Sequence, residues 1–434
     1  MEFKLLPGGD VTGEARIPGD KSISHRSIML GALAEGSTRV SGFLEGEDAL
    51  ATVAAFRAMG VSIEGPEDGV VVIHGVGMHG LQGARAPLDL GNSGTSIRLL
   101  SGLLAGQSFD SVLTGDQSLC GRPMGRVIDP LALMGAKIDS ADGGRPPLAI
   151  NGGRPLSGIH YDLPMASAQV KSCVLLAGLF ASGTTSVTEP APTRDHTERM
   201  LRGFGYDVRA EGGVISLQGG GSLKAATIDV PGDISSAAFF LVAASIAPGS
   251  DLLLTHVGIN PTRIGVINIL QLMGADITLR KEREVGGEPV ADIRVRYAPL
   301  KGIEIPEDQV PLAIDEFPAL FIAAACAEGR TVLRGAEELR VKESDRIAAM
   351  AEGLTTLGIV NEVLEDGIVI EGGTLGGGVI RTFHDHRIAM SFAIAALRAE
   401  NEIRVLDCDH VATSFPGFDA LARGLGLQIS AMTD

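Results

Sequence analysis

The sequence repeats one pattern six times, and this repeat restricts the possible folds more than any other feature. In each copy a small polar residue opens a helix rich in Ala, Leu and Ser, and a second helix ends at a glycine that leads into a short strand. Successive copies of that glycine are separated by 75, 70, 69, 84 and 68 residues. A period of about 70 residues fits a globular supersecondary unit and is too long for a thin solenoid repeat. The repeated glycines are Gly60, Gly135, Gly205, Gly274, Gly358 and Gly426.

The repeat predicts where the first helix of each copy lies. Short β-rich runs alternate with these helices, which predicts an α/β fold. One such unit cannot cover both faces of its sheet, but three units in a ring could bury their helices at the centre with their sheets outside. Six units therefore predict two globular halves, and the alternative is one large α/β domain with an accidental period. The predicted first helices are 21–36, 92–106, 167–183, 233–249, 315–329 and 385–400.

The boundary between the halves is expected near residues 229–232, before the fourth copy. Residues 21–230 would then form one domain of three repeat units, and residues 1–20 with 231–434 the other. A hinge is expected near 13–20 and 229–233. Because the N-terminal strand precedes the first copy, we expect it to pair with the C-terminal half.

Composition and spacing exclude several classes of function. A net charge of −17, three Tyr and no Trp disfavour nonspecific nucleic-acid binding and base stacking. The four Cys form no CxxC pair and the N-terminus has no signal-peptide pattern, so we expect a cytoplasmic protein. No metal-ligand spacing occurs, so neither a metal nor a cofactor is predicted. The GxGxxG at 75–80 lacks a following helix pattern and is interpreted as a turn.

Cations and small residues recur at the helix starts, where free N–H groups and the positive end of the helix dipole bind anions. Lys21 and Arg26 lie in the first turns of the first helix, and the stretch 91–95 offers small residues to a ligand. In the run 339–346, Glu343 and Arg346 would be neighbours on a helix, and an intrahelical ion pair is the simpler explanation for them. Recurring cations at the other helix starts favour an anion site.

Seven ordered motifs resemble those of the EPSP synthase family along essentially the whole chain. The resemblance implies a two-domain inside-out barrel, the enolpyruvyl transferase fold, built from six βαβαββ units with three per domain. It also implies transfer of the enolpyruvyl group of phosphoenolpyruvate to the 5-hydroxyl of shikimate 3-phosphate, with release of phosphate, in the shikimate pathway to chorismate and the aromatic amino acids. SAQVKS and RVKESDR resemble the second bacterial class of the family. The motifs are PGDKSISHRS (18–27), GNSGT (91–95), RPMGR (122–126), PMASAQVKS (164–172), AIDEFP (313–318), LRVKESDR (339–346) and DHRIAMS (385–391).

The resemblance also implies roles for single residues. Asp315 or Lys21 would take the hydroxyl proton, and Glu343 would protonate the methylene carbon. The two substrates carry roughly −5 to −6, and the matching cations and acids together supply +5. The residues matching the shikimate 3-phosphate site are Lys21, Ser22, Arg26, Ser167, Ala168, Gln169, Arg194, Asp315 and Lys342. Those matching the phosphoenolpyruvate site are Lys21, Gly94, Arg122, Gln169, Arg346 and Arg387.

The expected partners are these two small molecules, with no nucleic acid and no membrane, and the protein is expected to be a monomer. Its site would be split between the halves, so closure on binding is expected. Thr413 stands where many relatives have a Lys, and Gly94 leaves space that bears on glyphosate binding. Cys120 is interpreted as a packed thiol rather than the loop cysteine of UDP-N-acetylglucosamine enolpyruvyltransferases. That activity remains an alternative, as do a nonenzymatic anion-binding protein and an RNA-end-processing enzyme.

Overall fold

The computed structural model describes residues 1–432, and this part of the chain contains 13 α-helices and 24 β-strands joined by short turns and 3₁₀ segments. The helices are α1 (Lys21–Leu33), α2 (Glu47–Ala58), α3 (Gly94–Ala105), α4 (Gln117–Cys120), α5 (Gly125–Leu133), α6 (Ala168–Gly178), α7 (His196–Gly203), α8 (Ile234–Ile246), α9 (Gly265–Leu272), α10 (Phe317–Cys326), α11 (Arg346–Thr356), α12 (His386–Ala395) and α13 (Phe418–Gly424).

The strands occur singly or in groups of two to four between these helices. They are β1 (Glu2–Leu5), β2 (Thr12–Arg16), β3 (Ala34–Ser41), β4 (Ser62–Glu67), β5 (Val70–Val76), β6 (Leu88–Asp89), β7 (Ser111–Thr114), β8 (Lys137–Ala141), β9 (Arg145–Asn151), β10 (His160–Asp162), β11 (Thr184–Thr188), β12 (Val208–Glu211), β13 (Val214–Gln218), β14 (Leu223–Lys224), β15 (Thr227–Asp229), β16 (Asp251–Gly258), β17 (Asp276–Val285), β18 (Glu288–Arg296), β19 (Arg330–Leu333), β20 (Asn361–Val363), β21 (Ile368–Glu371), β22 (Gly378–Arg381), β23 (Ile403–Leu406) and β24 (Ile429–Met432).

Each repeat builds a small open sheet, with five strands in the first repeat, three in the fifth and four in the others. In the second repeat the strand order is β6-β7-β9-β8, in which β6 runs parallel to β7 and the other neighbours are antiparallel. The third and sixth repeats have the corresponding orders β10-β11-β13-β12 and β22-β23-β1-β24. None of the six sheets formed by residues 1–432 closes on itself, so the α/β expectation is confirmed with open sheets.

The N-terminal segment completes two sheets of the C-terminal repeats. β1 lies between β23 and β24 and is antiparallel to both, with Phe3 opposite Val405 and Ala431. β2 is the edge strand of the fourth sheet and runs parallel to β16. The expectation that the N-terminal strand pairs with the C-terminal half is therefore confirmed, and the middle strand of the sixth sheet comes from the opposite end of the chain.

The chain divides into two compact units. Unit I comprises Met1–Pro18, Pro231–Glu284 and the chain from Glu288 onward, and unit II comprises Gly19–Val230 with Val285–Gly287. In unit I every residue of α8 is buried, and α10 and α12 pack against it. In unit II α3 packs against α1 and α6. The first helix of each repeat thus lies in a core of aliphatic and small side chains, which accounts for its Ala and Leu content.

The predicted first helices exist, but all six end earlier than the sequence predicts. The first ends at Leu33 rather than Gly36, because Ala34 already has extended dihedral angles and begins β3. Gly36, Gly183, Gly249 and Gly329 have positive φ and lie after their helices. Four of the six predicted end residues are therefore turn glycines that redirect the chain into the next strand.

Candidate active site

The first turn of α1 carries the first group of predicted ligands. Asp20 caps the helix by accepting a hydrogen bond from the Ile23 amide at 2.9 Å. Lys21 follows the cap, and its ammonium group forms an ion pair with the Asp48 carboxylate. One fifth of the Lys21 side chain is exposed, whereas Asp48 is buried. Lys21 is therefore accessible and also carries its own buried counter-charge.

Arg26 is buried, and each of its three guanidinium nitrogens donates a hydrogen bond inside unit II. Nε donates to Thr197 Oγ1 at 2.7 Å, Nη1 to the Ser22 carbonyl at 3.0 Å, and Nη2 to Ser172 Oγ at 2.9 Å. Only 4% of the residue is exposed. These contacts join α1, α6 and α7, so this structure gives Arg26 a bridging role between helices beside the predicted role as a ligand.

The start of α3 holds two guanidinium groups close to Gly94. A Cβ atom added at Gly94 would lie 2.9 Å from Arg98 Nη1 and 3.0 Å from Arg122 Nη1. Arg98 Nη1 donates to Gln169 Oε1 at 2.6 Å, and Gln169 Nε2 donates to Thr95 Oγ1 at 3.1 Å. Because the oxygen of the amide is taken by Arg98, the amide nitrogen is the group that Gln169 offers to a ligand.

Arg98 was missed in the sequence analysis. It lies four residues after Gly94, which is one helical turn, so it shares a helix face with the predicted ligand. That spacing was the available signal. Gly94, Arg122 and Gln169, which were predicted to act together, lie together in unit II: Arg98 and Arg122 both approach Gly94, and Arg98 contacts Gln169.

The other predicted ligands of unit II occupy helix termini and loops. Arg122 Nη2 donates to Asn92 Oδ1 at 2.7 Å, and Asn92 in turn donates to Asp116 Oδ2 at 2.8 Å. Ser167 caps α6 by accepting from the Val170 amide at 3.4 Å, and Ala168 is the first helical residue. Arg194 is half-buried and lies in the segment between β11 and α7.

In unit I one buried guanidinium group gathers three carboxylates. Arg346 is 1% exposed, and it donates to Asp385 Oδ2 at 2.9 Å, Glu343 Oε2 at 2.6 Å and Asp315 Oδ1 at 3.3 Å. Burial alone would lower the pKa of Arg346, but the three carboxylates raise it above its ordinary value. Burial likewise opposes the charge of Asp385, while Arg346 holds the pKa of that carboxyl below its usual range.

Lys342 and Arg387 complete this group. Lys342 Nζ lies 3.4 Å from Asp315 Oδ1 and 3.1 Å from Glu338 Oε1. Arg387 Nη1 donates to the Asp315 carbonyl oxygen at 2.9 Å, and its amide donates to the capping Asp385 at 2.9 Å. The predicted residues of unit I, namely Asp315, Lys342, Glu343, Arg346 and Arg387, are therefore brought together.

Two local predictions in unit I are wrong. The run containing Glu343 is not helical: a 3₁₀ segment ends at Val341, and α11 begins at Arg346 with Asp345 as its cap. Asp315 does not open α10, because Glu316 occupies the cap position and makes no capping hydrogen bond. Asp315 lies before the cap of α10, and its side chain contacts Lys342 and Arg346 instead.

The predicted charge of the ligand set also needs correction. Three further carboxylates contact the predicted cations: Asp48 pairs with Lys21, Asp385 with Arg346, and Glu338 with Lys342. They lower the predicted +5 by three, and Arg98 restores one. The binding groups are therefore closer to neutral before a ligand arrives than the motif residues alone predict, because Asp48 and Asp385 come from distant parts of the chain and Glu338 lies four residues before Lys342.

His25 lies in α1, where its ring takes part in a buried network of hydroxyl groups. His25 Nδ1 is 2.8 Å from Thr52 Oγ1 and 3.2 Å from Ser96 Oγ, and Ser96 Oγ is 2.7 Å from Ser93 Oγ, the cap of α3. Burial, together with Lys21 and Arg26, lowers the pKa of His25 well below its ordinary value. A neutral His25 serves as part of the scaffold that supports the start of α1.

The structure of residues 1–432 bears on the expectations about metal ions, membrane spans, Cys120 and Thr413. No group of three or more His, Cys, Asp or Glu there could hold a metal ion, and no helix there is long and apolar enough to cross a membrane. Cys120 is partly buried and its thiol donates to the Gly115 carbonyl. Thr413 is buried and donates to the His410 carbonyl at 2.7 Å, so its hydroxyl is used locally.

Comparison with known proteins gives concordant results. The family model described as EPSP synthase (3-phosphoshikimate 1-carboxyvinyltransferase) matches residues 5–421. The chain is 67% identical over 431 residues to the 3-phosphoshikimate 1-carboxyvinyltransferase of Alkalilimnicola ehrlichii, covering 99% of this chain and 97% of the relative. It is 68% identical over 427 residues to that of Methylococcus capsulatus, covering 98% of each chain.

Solved structures agree. The EPSP synthase of Acinetobacter baumannii superposes with a TM-score of 0.91 at 62% identity, covering 100% of both chains. The enolpyruvyl transferase NikO of Streptomyces tendae superposes with a TM-score of 0.81 at 18% identity, covering 100% of this chain and 99% of the other. The second likeness extends the fold beyond the range of close sequence similarity.

Proposed function

Because this chain belongs to the EPSP synthase family, we propose a role in the family's reaction for each group of side chains described above. The enzyme is an enolpyruvyl transferase of the shikimate pathway. It transfers the enolpyruvyl group of phosphoenolpyruvate to the 5-hydroxyl of shikimate 3-phosphate and releases phosphate. The main support for the residue assignment is the cluster in which Arg346 donates hydrogen bonds to the carboxylates of Asp315, Glu343 and Asp385.

Shikimate 3-phosphate is proposed to bind nine groups. Arg194 is the phosphate ligand in this proposal, since a guanidinium fork donates two hydrogen bonds to a phosphate. The Gln169 amide is oriented by Arg98 so that its nitrogen donates to the substrate. The proposed ligands are Lys21, Ser22, Arg26, Ser167, Ala168, Gln169, Arg194, Asp315 and Lys342.

Phosphoenolpyruvate is proposed to bind Arg122, which lies near Gly94, and also Arg346 and Arg387 of unit I. The absence of a side chain at Gly94 leaves room between Arg98 and Arg122. Two guanidinium groups that converge on one point repel each other, and an anion between them relieves that repulsion. The proposed ligands are Lys21, Gly94, Arg122, Gln169, Arg346 and Arg387.

The chemistry requires one proton to leave the 5-hydroxyl and one to reach the methylene carbon. As the hydroxyl oxygen bonds to the central carbon of phosphoenolpyruvate, Asp315, or Lys21 once it has given up a proton of its own, takes the hydroxyl proton and Glu343 protonates the methylene group. In the resulting tetrahedral adduct the bond to phosphate breaks, the new methyl group returns a proton, and phosphate leaves. Arg346 and Arg387 stabilise the negative charge that moves onto phosphate.

A phosphate-release assay with both substrates tests the function directly. Release should require shikimate 3-phosphate and phosphoenolpyruvate together, and no release from the pair would exclude the proposed activity. Replacement of the acceptor, shikimate 3-phosphate, by UDP-N-acetylglucosamine tests the alternative transferase. Glu343→Gln and Asp315→Asn should each lower kcat by at least 100-fold if they move protons, and near-normal turnover in either variant would refute that role.

We also propose that the protein acts as a cytoplasmic monomer. Its four cysteines remain free thiols in the structure, which fits a reducing compartment. Light scattering on the purified protein should give a mass near 45.0 kDa, and a mass of twice that value would contradict the monomer.

A further inference from the structure

Lys171 is a fully buried charged residue that the proposed reaction does not use. It lies on α6, two residues after Gln169, and 1% of its side chain is exposed. Its Nζ lies 3.0 Å from Glu189 Oε1 and 2.7 Å from Glu198 Oε1, and those side chains are 9% and 3% exposed. Lysine and glutamate are rarely buried unless they are paired. These three residues are called the Lys171 cluster below.

The two carboxylates of the cluster flank the segment that carries Arg194. Glu189 follows the last residue of β11, and Glu198 lies in the first turn of α7. One ammonium group on α6 therefore holds both ends of the segment 189–198. Within that segment the Thr193 hydroxyl donates to Glu189 Oε1, and Thr193 is the residue directly before Arg194.

A second set of contacts reinforces the first. Ser172 and Thr197, the chain neighbours of Lys171 and Glu198, lie 2.7 Å apart through their hydroxyl oxygens, and Arg26 donates to both. The two cations, Arg26 and Lys171, balance the two carboxylates. Loss of one charge from such a buried group leaves another uncompensated, so the geometry of the segment depends on every member.

We propose that the Lys171 cluster is a positioning device that holds Arg194 in the orientation needed to bind the phosphate of shikimate 3-phosphate. This inference rests on the proposed function. Two parallel hydrogen bonds from a guanidinium group to a phosphate require a fixed angle as well as a fixed distance. Small displacements of a binding group weaken such contacts strongly. The cluster acts through Arg194 and touches neither substrate.

Glu198→Gln is the principal test, since glutamine keeps the shape of the side chain and removes its charge. The variant should raise the Kd for shikimate 3-phosphate, measured by calorimetry, by about tenfold, the equivalent of one lost charge-assisted hydrogen bond. The KM for phosphoenolpyruvate at saturating shikimate 3-phosphate should stay within about twofold of wild type. Lys171→Met should have the larger effect on Kd, and if it fails to fold, Glu198→Gln decides.

A double-mutant cycle distinguishes positioning from general destabilisation. If the cluster acts through Arg194, then adding Glu198→Gln to Arg194→Ala should change the Kd by less than about twofold, because the contact it supports is already gone. Effects that multiply in the double variant would overturn the proposal.

Cys173→Ala provides the matched control, since Cys173 is a fully buried neighbour on the same helix and lies outside the cluster. It should lower Tm without changing the Kd for shikimate 3-phosphate, and an equal rise in Kd would overturn the proposal. Failure of the wild type to bind shikimate 3-phosphate would instead refute the proposed function. Binding by the wild type, with an unchanged Kd in Glu198→Gln, would refute only the positioning role.

Discussion

At Gly94, one added methyl group is expected to weaken the binding of both phosphoenolpyruvate and glyphosate. In Gly94→Ala the new carbon would approach Arg98 Nη1 to 2.9 Å and Arg122 Nη1 to 3.0 Å, so these side chains must move. We expect the KM for phosphoenolpyruvate and the inhibition constant of glyphosate both to rise by about tenfold or more. The control is Gly125→Ala, where the nearest atom is 4.0 Å away. Equal inhibition constants in wild type and Gly94→Ala would refute the steric argument.

Arg98 offers a second prediction at this scale. Arg98→Met removes the hydrogen bond to Gln169 Oε1, so only the hydrogen bond from Nε2 to Thr95 Oγ1 still orients the Gln169 amide. We expect the KM for phosphoenolpyruvate to rise about tenfold, as for the loss of one charge-assisted hydrogen bond. Arg98→Lys keeps the charge but loses the planar fork and should fall between wild type and Arg98→Met. Unchanged Michaelis constants in Arg98→Met would show that Gln169 needs no such support.

His25 predicts a pH dependence of stability. Burial, with Lys21 and Arg26 nearby, lowers the pKa of folded His25 well below 6.5, so the unfolded chain takes up a proton first. The free energy of unfolding should therefore fall as the pH drops below about 6.5, by up to about 1.4 kcal/mol per pH unit. Urea titrations of His25→Asn between pH 7.5 and 5 should show a shallower decline. The exposed His79→Asn should keep the wild-type slope, and identical slopes in all three proteins would contradict the assignment.

Residue types at helix starts could be predicted from the sequence, but their partners could not. Asp385 lies 39 residues after Arg346, and Asp48 lies 27 residues after Lys21, so neither pairing follows from helical spacing. Tertiary contacts set the charge balance of the candidate site, and the motif residues alone overestimated it. The position of Arg98, in contrast, could have been predicted, because it lies one helical turn after Gly94.

The end of the second helix of each repeat could be predicted from the sequence, because a glycine marks it. All six glycines of the repeat have φ between 82° and 118°, which a side chain disfavours. Their period was visible because this backbone requirement recurs at the same place in every unit. The ends of the first helices carry no comparable requirement, since extended residues such as Ala34 end them without glycine.

Gly358→Ala tests this requirement. Its φ is 84° and nothing lies within 4 Å of an added Cβ atom, so any cost arises from the backbone alone. We expect the free energy of unfolding to fall by about 1 kcal/mol. Gly424, the last residue of α13, also has open space but lacks a positive φ. Gly424→Ala should be neutral or stabilising in the same urea titration, and equal losses in the two variants would contradict the backbone explanation.

At the scale of the whole molecule, the fold class could be predicted because six copies of one pattern limit the choices. The crossing of the N-terminal strand into the C-terminal repeats was also predictable, since that strand belongs to no copy of its own. The strand order within each sheet was not, because β1 and β23 are separated by almost the entire chain. Only the three-dimensional structure shows that β1 occupies the middle of its sheet.

Phe3→Ala tests the importance of that strand. Phe3 is 1% exposed and its ring lies 6.1 Å from that of Phe418. Its truncation should lower the free energy of unfolding of unit I by about 3–5 kcal/mol. Hydrogen exchange should accelerate in β23 and β24, and amides of β7 and β9 in unit II should keep their protection. Leu6→Ala, at a position 46% exposed, is the control, and equal effects would contradict a central role for β1.

The placement of β1 also has a consequence for protein synthesis. Residues 19–230 hold nearly everything that unit II requires, so this unit can fold while the ribosome is still translating the rest of the chain. β1 must instead wait for β24, at residues 429–432, which is translated long after it. During that interval the apolar side chains of β1 lack their native neighbours, and the sixth sheet of unit I can assemble only after β24 has been translated.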